Sequence, residues 1–96
     1  MRLRGMDIDD LFILGCMAEG LNMTGAAKIL NLSQAAISQR MKKMTILLEC
    51  EIVTKSGVER ILTAQGAEIA KAAREALIVL DRSLPNDGSH PIAFHN

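Results

Sequence analysis

Aromatic residues are almost absent from this chain, whose 96 residues include two Phe and neither Trp nor Tyr. Aromatic side chains usually contribute much of the area buried in a core. The core of this protein must therefore be built from Leu, Ile, Met and Ala. Hydrophobic residues make up 49% of the sequence, which suits the modest core of one small domain.

Long apolar segments are also missing. Acidic residues interrupt every candidate for a membrane span, at Asp9, Asp10, Glu19, Glu49 and Glu51. No secretory signal is evident, because the acidic stretch at 7–10 stands where the apolar region of a signal peptide would begin. We therefore expect a cytoplasmic protein that has no membrane partner.

Cysteine and histidine are scarce, with two residues of each. Cys16 and Cys50 lack the spacing of a metal site and are expected to be reduced, partly buried thiols. His90 and His95 lie in the terminal segment, without thiols or carboxylates at ligand spacing. The sequence contains no Gly-rich phosphate loop and no set of nucleophile, base and orienting residue. It predicts no catalytic residue, no metal and no cofactor, so an enzyme is the weakest functional class.

The formal net charge is zero, but the basic residues are unevenly distributed. Residues 22–44 contain no acidic side chain and four basic ones, which are Lys28, Arg40, Lys42 and Lys43. The rest of the chain has seven basic residues and eleven acidic ones. This distribution favours contact between one surface and a polyanion, and not a general attraction of the whole molecule.

The same basic segment has the pattern of two short helices joined by a tight turn. Small and apolar residues from Thr24 to Leu30 predict the first of these helices. The chain then turns at Asn31-Leu32, and Ser33 is a good N-cap for the next helix. This arrangement is a helix-turn-helix, whose second helix reads DNA in known examples.

That second helix has two distinct faces. A stripe of apolar residues recurs at intervals of three and four and predicts the buried face: Ile37, Met41, Met44 and Leu48. The opposite face carries side chains suited to base edges and phosphates: Gln34, Ala35, Ser38, Gln39 and Lys42. A polar helix face is often merely solvated, but the turn, the N-cap and the lack of acidic residues favour contact with DNA.

The flanking segments complete a winged domain. Upstream, a helix is predicted from Ile8 to Ala18, with Asp7 as its N-cap. Its apolar residues are expected on one face: Ile8, Leu11, Leu14, Met17 and Ala18. Downstream, residues 51–55 and 60–63 read as two short strands around a turn that contains glycine, which predicts a wing. Lys55 and Arg60 flank its tip and are candidates for contact with DNA.

A long final helix is predicted from Ala64 to Leu84, with Thr63 as its N-cap. One apolar row resembles a heptad seam and is the candidate dimer interface: Ala70, Ala73, Leu77, Leu80 and Leu84. A second apolar row lies beside it: Ile69, Ala72, Ala76 and Val79. A domain of this size does not easily cover both rows, so we expect a homodimer.

The expected fold is thus mainly α and has three parts. Residues 1–63 form a winged helix-turn-helix DNA-binding domain of three helices plus a two-stranded wing. Residues 64–84 form the linker or dimerisation helix. Residues 85–96 are polar, lack periodicity and are expected to be a disordered tail.

Several motifs and their order along the chain resemble the amino-terminal DNA-binding region of LysR-type transcriptional regulators. The resemblance covers roughly residues 6–84 and rests on Ala26-Ala27, on Ser33-Gln34-Ala35-Ala36-Ile37-Ser38 and on Leu62-Thr63-Ala64-Gln65-Gly66. It implies a winged helix-turn-helix and a long helix through which two chains dimerise. Positions matching the family's DNA-contacting residues are Thr24, Gln34, Ala35, Ser38, Gln39 and Lys55. With Ser33, Lys42 and Arg60, these residues form the candidate DNA-binding set.

The chain departs from the family pattern at Ala35, Glu49, Val53 and Lys55. The family usually has Gly where Glu49 stands, so we expect the turn into the wing to be built differently. Lys55 lacks the planar fork of the usual Arg. Family members also continue into an effector domain of roughly two hundred residues, which exceeds this chain. It is either an isolated DNA-binding region or a complete small protein, and the polar tail favours the second.

Two functions of different classes follow from these patterns. The first is a homodimeric transcriptional regulator that binds a double-stranded, inverted-repeat operator sequence-specifically. The second is an interaction module that heterodimerises with a full-length LysR-type regulator and modulates it. The neutral charge, Glu59 in the wing and Lys55 favour the second function, whereas the polar face that begins at Gln34 favours the first.

Overall fold

A computed structural model describes residues 4–20, 22–57 and 59–85, with only the backbone described at Glu59. Its elements are α1 (Ile8–Ala18), α2 (Met23–Leu30), α3 (Gln34–Leu48), β1 (Val53–Ser56), β2 (Glu59–Leu62) and α4 (Ala64–Ser83). The predicted winged helix-turn-helix, followed by a long helix, is confirmed. The tail expected at 85–96 lies outside the described residues, apart from Pro85. Within the described segments, no helix is both long and apolar enough to cross a bilayer.

Three helices begin at the residues that the sequence predicts as N-caps. Asp7 Oδ1 accepts the Asp10 N–H at 3.0 Å, and Asp10 Oδ2 accepts the Asp7 N–H at the same distance. The hydroxyls of Ser33 and Thr63 accept backbone N–H groups three residues downstream, at 3.0 and 2.9 Å. Each cap satisfies a backbone donor that has no partner within the helix. Short-range chemistry therefore sets the starts of α1, α3 and α4.

The hydrophobic core lies between α1, α3 and α4. The α3 stripe is confirmed, because Ile37 and Met44 are fully buried and Met41 is 3% exposed. The apolar face predicted for α1 is not buried along its whole length, since Ile8 is 46% exposed. Ile13, which the periodic pattern left out, is fully buried. The reason is that α1 contacts α2, α3 and α4, so it is covered on more than one side.

The base of the wing is fixed to the start of α4. Thr63 N–H donates to Ile52 O at 2.9 Å, and the Thr63 hydroxyl donates to Glu51 O at 2.6 Å. Gly66 lies against the same segment so closely that an added Cβ would sit 2.1 Å from Ile52 O. Glycine is therefore needed at this contact, and the wing is held in a defined position beside the helices.

The turn from α3 into the wing passes through Glu49. This residue adopts the left-handed conformation, with φ 55° and ψ 37°, and its N–H donates to Ile46 O. The expectation that the turn is built differently is wrong, because Glu49 takes the conformation that a C-terminal glycine adopts freely. A residue with a Cβ is strained there, and the chain keeps this strain.

Glu49→Gly is expected to stabilise the protein by about 1 kcal/mol, because it removes the steric cost of the left-handed conformation. Urea denaturation followed by circular dichroism measures this change. Glu51→Gly is the matched control, since Glu51 is exposed and does not have a positive φ. The control is expected to lower stability slightly. An unchanged or lower midpoint for Glu49→Gly would contradict the strain.

Candidate nucleic-acid interface

The polar face of α3 projects from the surface of the domain. Its exposed members are Gln34, Ala35, Gln39 and Lys42, while Ser38 is half-buried. The opposite side of the helix is buried in the core at Ile37, Met41 and Met44. Since the buried stripe docks the helix, the polar side chains have no core to pack against and face outward.

The turn of the helix-turn-helix brings α2 to the start of α3. Asn31 ends α2 in the left-handed conformation with φ 55°, and Leu32 N–H donates to Ala27 O at 2.9 Å. Across this turn, Gln34 Nε2 donates to Thr24 Oγ1 at 3.0 Å. Both side chains are exposed. The structure thus joins two candidate DNA-binding residues directly.

Ser33 has a structural role at the same place. Its Oγ accepts the Ala36 N–H at 3.0 Å and caps α3. A hydroxyl that accepts one hydrogen bond still has a proton to donate. Ser33 is exposed, so this proton remains accessible while the residue sets the start of α3.

The wing contributes two basic residues. Lys55 and Arg60 lie opposite each other in the antiparallel pair β1–β2, and both are exposed. Arg60 and Ser38 line two neighbouring grooves. Lys42 and Lys55 line the groove between α3 and the wing, and Thr24 and Gln34 line the groove on the α2 side.

Six candidate residues from α2, α3 and the wing are therefore brought together on one side of the molecule. We call this set the reading surface: Thr24, Gln34, Ser38, Lys42, Lys55 and Arg60. The three remaining candidates, Ser33, Ala35 and Gln39, are exposed but line neither groove.

Two of the four basic residues in the segment 22–44 point to α1. Arg40 Nη1 lies 2.9 Å from Asp7 Oδ1 and 3.0 Å from Asp10 Oδ1. Lys43 Nζ lies 2.6 Å from Asp10 Oδ2. Asp10 is fully buried, and Asp9 adds a longer contact of 3.7 Å to Arg40 Nη2. We call these five residues the α1–α3 charge cluster.

This cluster changes the charge available to DNA. Among the described side chains, Lys28 and Lys42 have no acidic group within ion-pair distance, whereas Arg40 and Lys43 are neutralised by α1. The expectation that the whole segment presents four free positive charges is therefore corrected. Lys55 and Arg60 of the wing, taken together with Lys28 and Lys42, are the exposed basic residues of the helix-turn-helix and wing.

The charge cluster also shifts the pKa values of Asp7 and Arg40. Burial alone would raise the pKa of Asp7, but the hydrogen bond from the Asp10 N–H and the charge of Arg40 lower it overall. Burial would lower the pKa of Arg40, and the carboxylates of Asp10 and Asp7 raise it. A lowered carboxyl pKa stabilises the folded state above the usual value of 3.8, and this contribution is lost as the pH falls through the lowered pKa.

The predicted dimer seam on α4 is divided by the core. Ala70, Ala73 and Leu77 are at most 5% exposed, and α4 packs extensively on α1. These three residues belong to the chain's own core. The candidate dimer interface is therefore corrected to exclude them. Leu80 and Leu84 remain 45% and 51% exposed.

Other apolar residues extend the exposed part of α4. Val79 is 61% exposed, and Ala72 and Ala76 are also exposed. We call Ala72, Ala76, Val79, Leu80 and Leu84 the α4 strip. It combines the last two residues of the predicted seam, Leu80 and Leu84, with three members of the second apolar row.

The thiols do not contribute to the reading surface. Cys16 is fully buried, and burial followed by the charge of Glu19 raises its pKa. Cys50 is half-buried, and both cysteines are free. The described residues contain no group of three or more side chains able to hold a metal ion. His90 and His95 lie outside the described residues.

Comparison with known proteins identifies relatives of this chain. The family of bacterial regulatory helix-turn-helix proteins named lysR matches residues 8–67. Nodulation protein D 3 of Mesorhizobium japonicum is 36% identical over 84 residues, which are 88% of this chain and 28% of that protein. Nodulation protein D 1 of Rhizobium tropici is 34% identical over the same length, which is 27% of that protein. This chain therefore spans about a quarter of these relatives.

Solved structures share the fold. The crystal structure of the CbnR_DBD–DNA complex has a TM-score of 0.70 and 32% identity, and the match covers 81% of this chain and 90% of that chain. The BenM_DBD complex with catB site 1 DNA has a TM-score of 0.72 at 19% identity, covering 81% and 87%, and shows the fold alone. Because the family match covers most of the chain and named relatives align along 88% of it, this chain belongs to the lysR family of bacterial regulatory helix-turn-helix proteins.

Proposed function

We propose that this chain binds double-stranded DNA sequence-specifically as a homodimer and acts in the regulation of transcription. The observation that carries this proposal is the reading surface, in which side chains of α2, α3 and the wing meet on the side opposite the core. CbnR_DBD, at 32% identity, is described in complex with DNA. By this analogy α3 enters the major groove and the wing lies over the flanking backbone.

The side chains on α3 divide the work of recognition. Gln34 and Gln39 carry amides that can bond to adenine, and Ser38 can pair with several base edges. Ala35 permits close approach and packs against a thymine methyl. Lys42, like Lys55 and Arg60 of the wing, is exposed and serves phosphate contacts.

The charge cluster favours specific over non-specific binding. Arg40 and Lys43 are neutralised by α1, so few free cations attract DNA of arbitrary sequence. Docked recognition helices still make base contacts. We expect specific DNA to be preferred by at least ~10³ at physiological salt.

The α4 strip is the proposed homodimer interface. Its leucines and Val79 are exposed in the single chain, and pairing with a second copy removes them from water. A two-fold dimer reads a two-fold site, so the operator is an inverted repeat whose half-site centres lie about one helical turn apart. Selection of bound duplexes from random DNA tests this arrangement, and failure to enrich any inverted repeat would reject it.

Gln34→Ala is expected to weaken binding to the selected operator by about 1 to 3 kcal/mol and to relax the preference at one base position. Lys42→Ala is expected to weaken all sequences similarly and to reduce the salt slope by about one unit. Fluorescence anisotropy on matched and mismatched duplexes measures both effects. Equal, sequence-independent losses for the two variants would show that Gln34 does not read bases.

A second candidate is supported by the same α4 strip. An exposed apolar helix pairs as readily with the long helix of a related regulator, and two basic residues near the reading surface are already neutralised. In this alternative the chain heterodimerises with a full-length LysR-type regulator and modulates it. Mixed dimers, together with no enriched sequence from random DNA, would favour this function over DNA binding by the homodimer.

A further inference from the structure

The contact between Thr24 and Gln34 lies at the edge of the reading surface. Gln34 Nε2 is 3.0 Å from Thr24 Oγ1, and the two residues line the same two grooves beside α2. Each is exposed, so no core packing forces them together. The hydrogen bond from Gln34 to Thr24 is therefore an interaction that can direct the Gln34 amide in the free protein.

Both ends of this contact are anchored by helix caps. Asn22 Oδ1 accepts the Gly25 N–H at 2.8 Å and fixes the first turn of α2, where Thr24 is the second residue. Ser33 Oγ fixes the first turn of α3, where Gln34 is the first residue. Thr24 is also β-branched, which restricts its side chain to two main rotamers in a helix. The hydroxyl is thus an acceptor with few alternative positions.

The chemistry of a primary amide gives this contact a consequence for recognition. A Gln side chain carries one oxygen acceptor and two N–H donors, and its terminal torsion is broad. Recognition of adenine needs the oxygen opposite N6 and one N–H opposite N7. An acceptor that binds the N–H pointing away from Oε1 leaves the other N–H beside the oxygen. That pair of atoms matches adenine.

We propose that Thr24 is a positioning residue that makes Gln34 select adenine, by holding the amide in this direction before DNA binds. The assignment rests on the proposed sequence-specific DNA binding. A fixed amide loses less rotational freedom on binding than a free one, which strengthens the correct contact selectively. Thr24 acts through Gln34, so its effect is confined to the base that Gln34 faces.

The test is selection from a random duplex library with the unaltered chain, T24V, T24S, Q34A and the double variant T24V/Q34A. Val keeps the shape of Thr without the hydroxyl, and Ser keeps the hydroxyl. We expect the unaltered chain to enrich adenine at one position of each half-site. T24V lowers that preference about tenfold, within the range for one base-edge contact. T24S retains it, and T24V adds no further change in the Q34A background.

A second readout does not need DNA. In NMR spectra of the free protein, the side-chain amide signals of Gln34 are expected to shift in T24V but not in T24S. The amide hydrogens of Gln34 are also expected to exchange faster with solvent in T24V only. The role of Thr24 would be overturned if T24V lowered the base preference equally at every position of the site. It would also be overturned if T24V changed the base preference in the Q34A background. If the unaltered chain enriches no sequence, the proposed function fails and takes this assignment with it. Enrichment that T24V leaves unchanged overturns the assignment alone.

Discussion

Leu77→Asp is expected to unfold the chain, whereas Leu80→Asp is expected to yield a folded monomer. Leu77 is 5% exposed on α4, the helix that packs on α1, and an unpaired carboxylate there costs several kcal/mol, roughly the whole stability of a small domain. Leu80 lies three residues later but is 45% exposed. Replacing Leu80 with Asp keeps the single chain folded, because the new carboxylate remains in water. It also places a charge inside the proposed interface. Circular dichroism and sedimentation equilibrium distinguish the two outcomes.

The control for this pair lies on the same helix. Lys71 is exposed and is not part of the α4 strip, so Lys71→Asp is expected to remain a folded dimer. A dimer that survives Leu80→Asp would show that the α4 strip is not the interface. A folded monomer for the unaltered chain at micromolar concentration would remove the homodimer from the proposal altogether.

Asp10→Ala is expected to destabilise the protein by about 3 kcal/mol, near the lower end of the range for breaking a buried ion pair. The fully buried carboxylate accepts from Arg40 Nη1 at 3.0 Å, from Lys43 Nζ at 2.6 Å and from the Asp7 N–H at 3.0 Å. The lower end of the range is appropriate because the side chains of Arg40 and Lys43 are 26% and 39% exposed. Water therefore solvates both charges once the carboxylate is removed. Urea denaturation at neutral pH measures the loss.

Asp9→Ala is the matched control for the charge cluster. Asp9 is 48% exposed and lies 3.7 Å from Arg40 Nη2, a geometry in which ion pairs contribute little. We expect a change below about 0.5 kcal/mol for this variant. Similar losses for Asp9→Ala and Asp10→Ala would indicate that burial of Asp10 is unimportant and that only the total charge of α1 matters.

Features that depend on neighbours in the chain were predictable from the sequence. Asp7, Ser33 and Thr63 cap the helices as expected, because a cap bonds to backbone groups three residues away. The α3 stripe was predictable for the same reason, since helical periodicity alone places its members on one face. The turn at Asn31 required a residue that tolerates a positive φ. Motifs in this order also identified the family.

Features that depend on distant residues were decided by packing. Nothing in the basic pattern of 22–44 indicates that α1, some thirty residues earlier, neutralises Arg40 and Lys43. The acidic stretch at 7–10 is the matching signal, but the sequence explains Asp7 equally well as the N-cap of α1. Glu49 was expected to change the turn, yet the surrounding fold holds it in the conformation of a glycine.

The starts of α1, α3 and α4, the buried stripe of α3, the order of elements and the family follow from spacing along the chain, so the sequence predicts them. The start of α2 lies one residue before the predicted Thr24, because Asn22 caps this helix. Packing between helices settles which apolar row of α4 is core. Both rows have helical spacing, and the position of α1 buries Ala70, Ala73 and Leu77 while leaving Leu80 exposed. The same three-dimensional packing placed Thr24 against Gln34, a contact that requires the turn between α2 and α3.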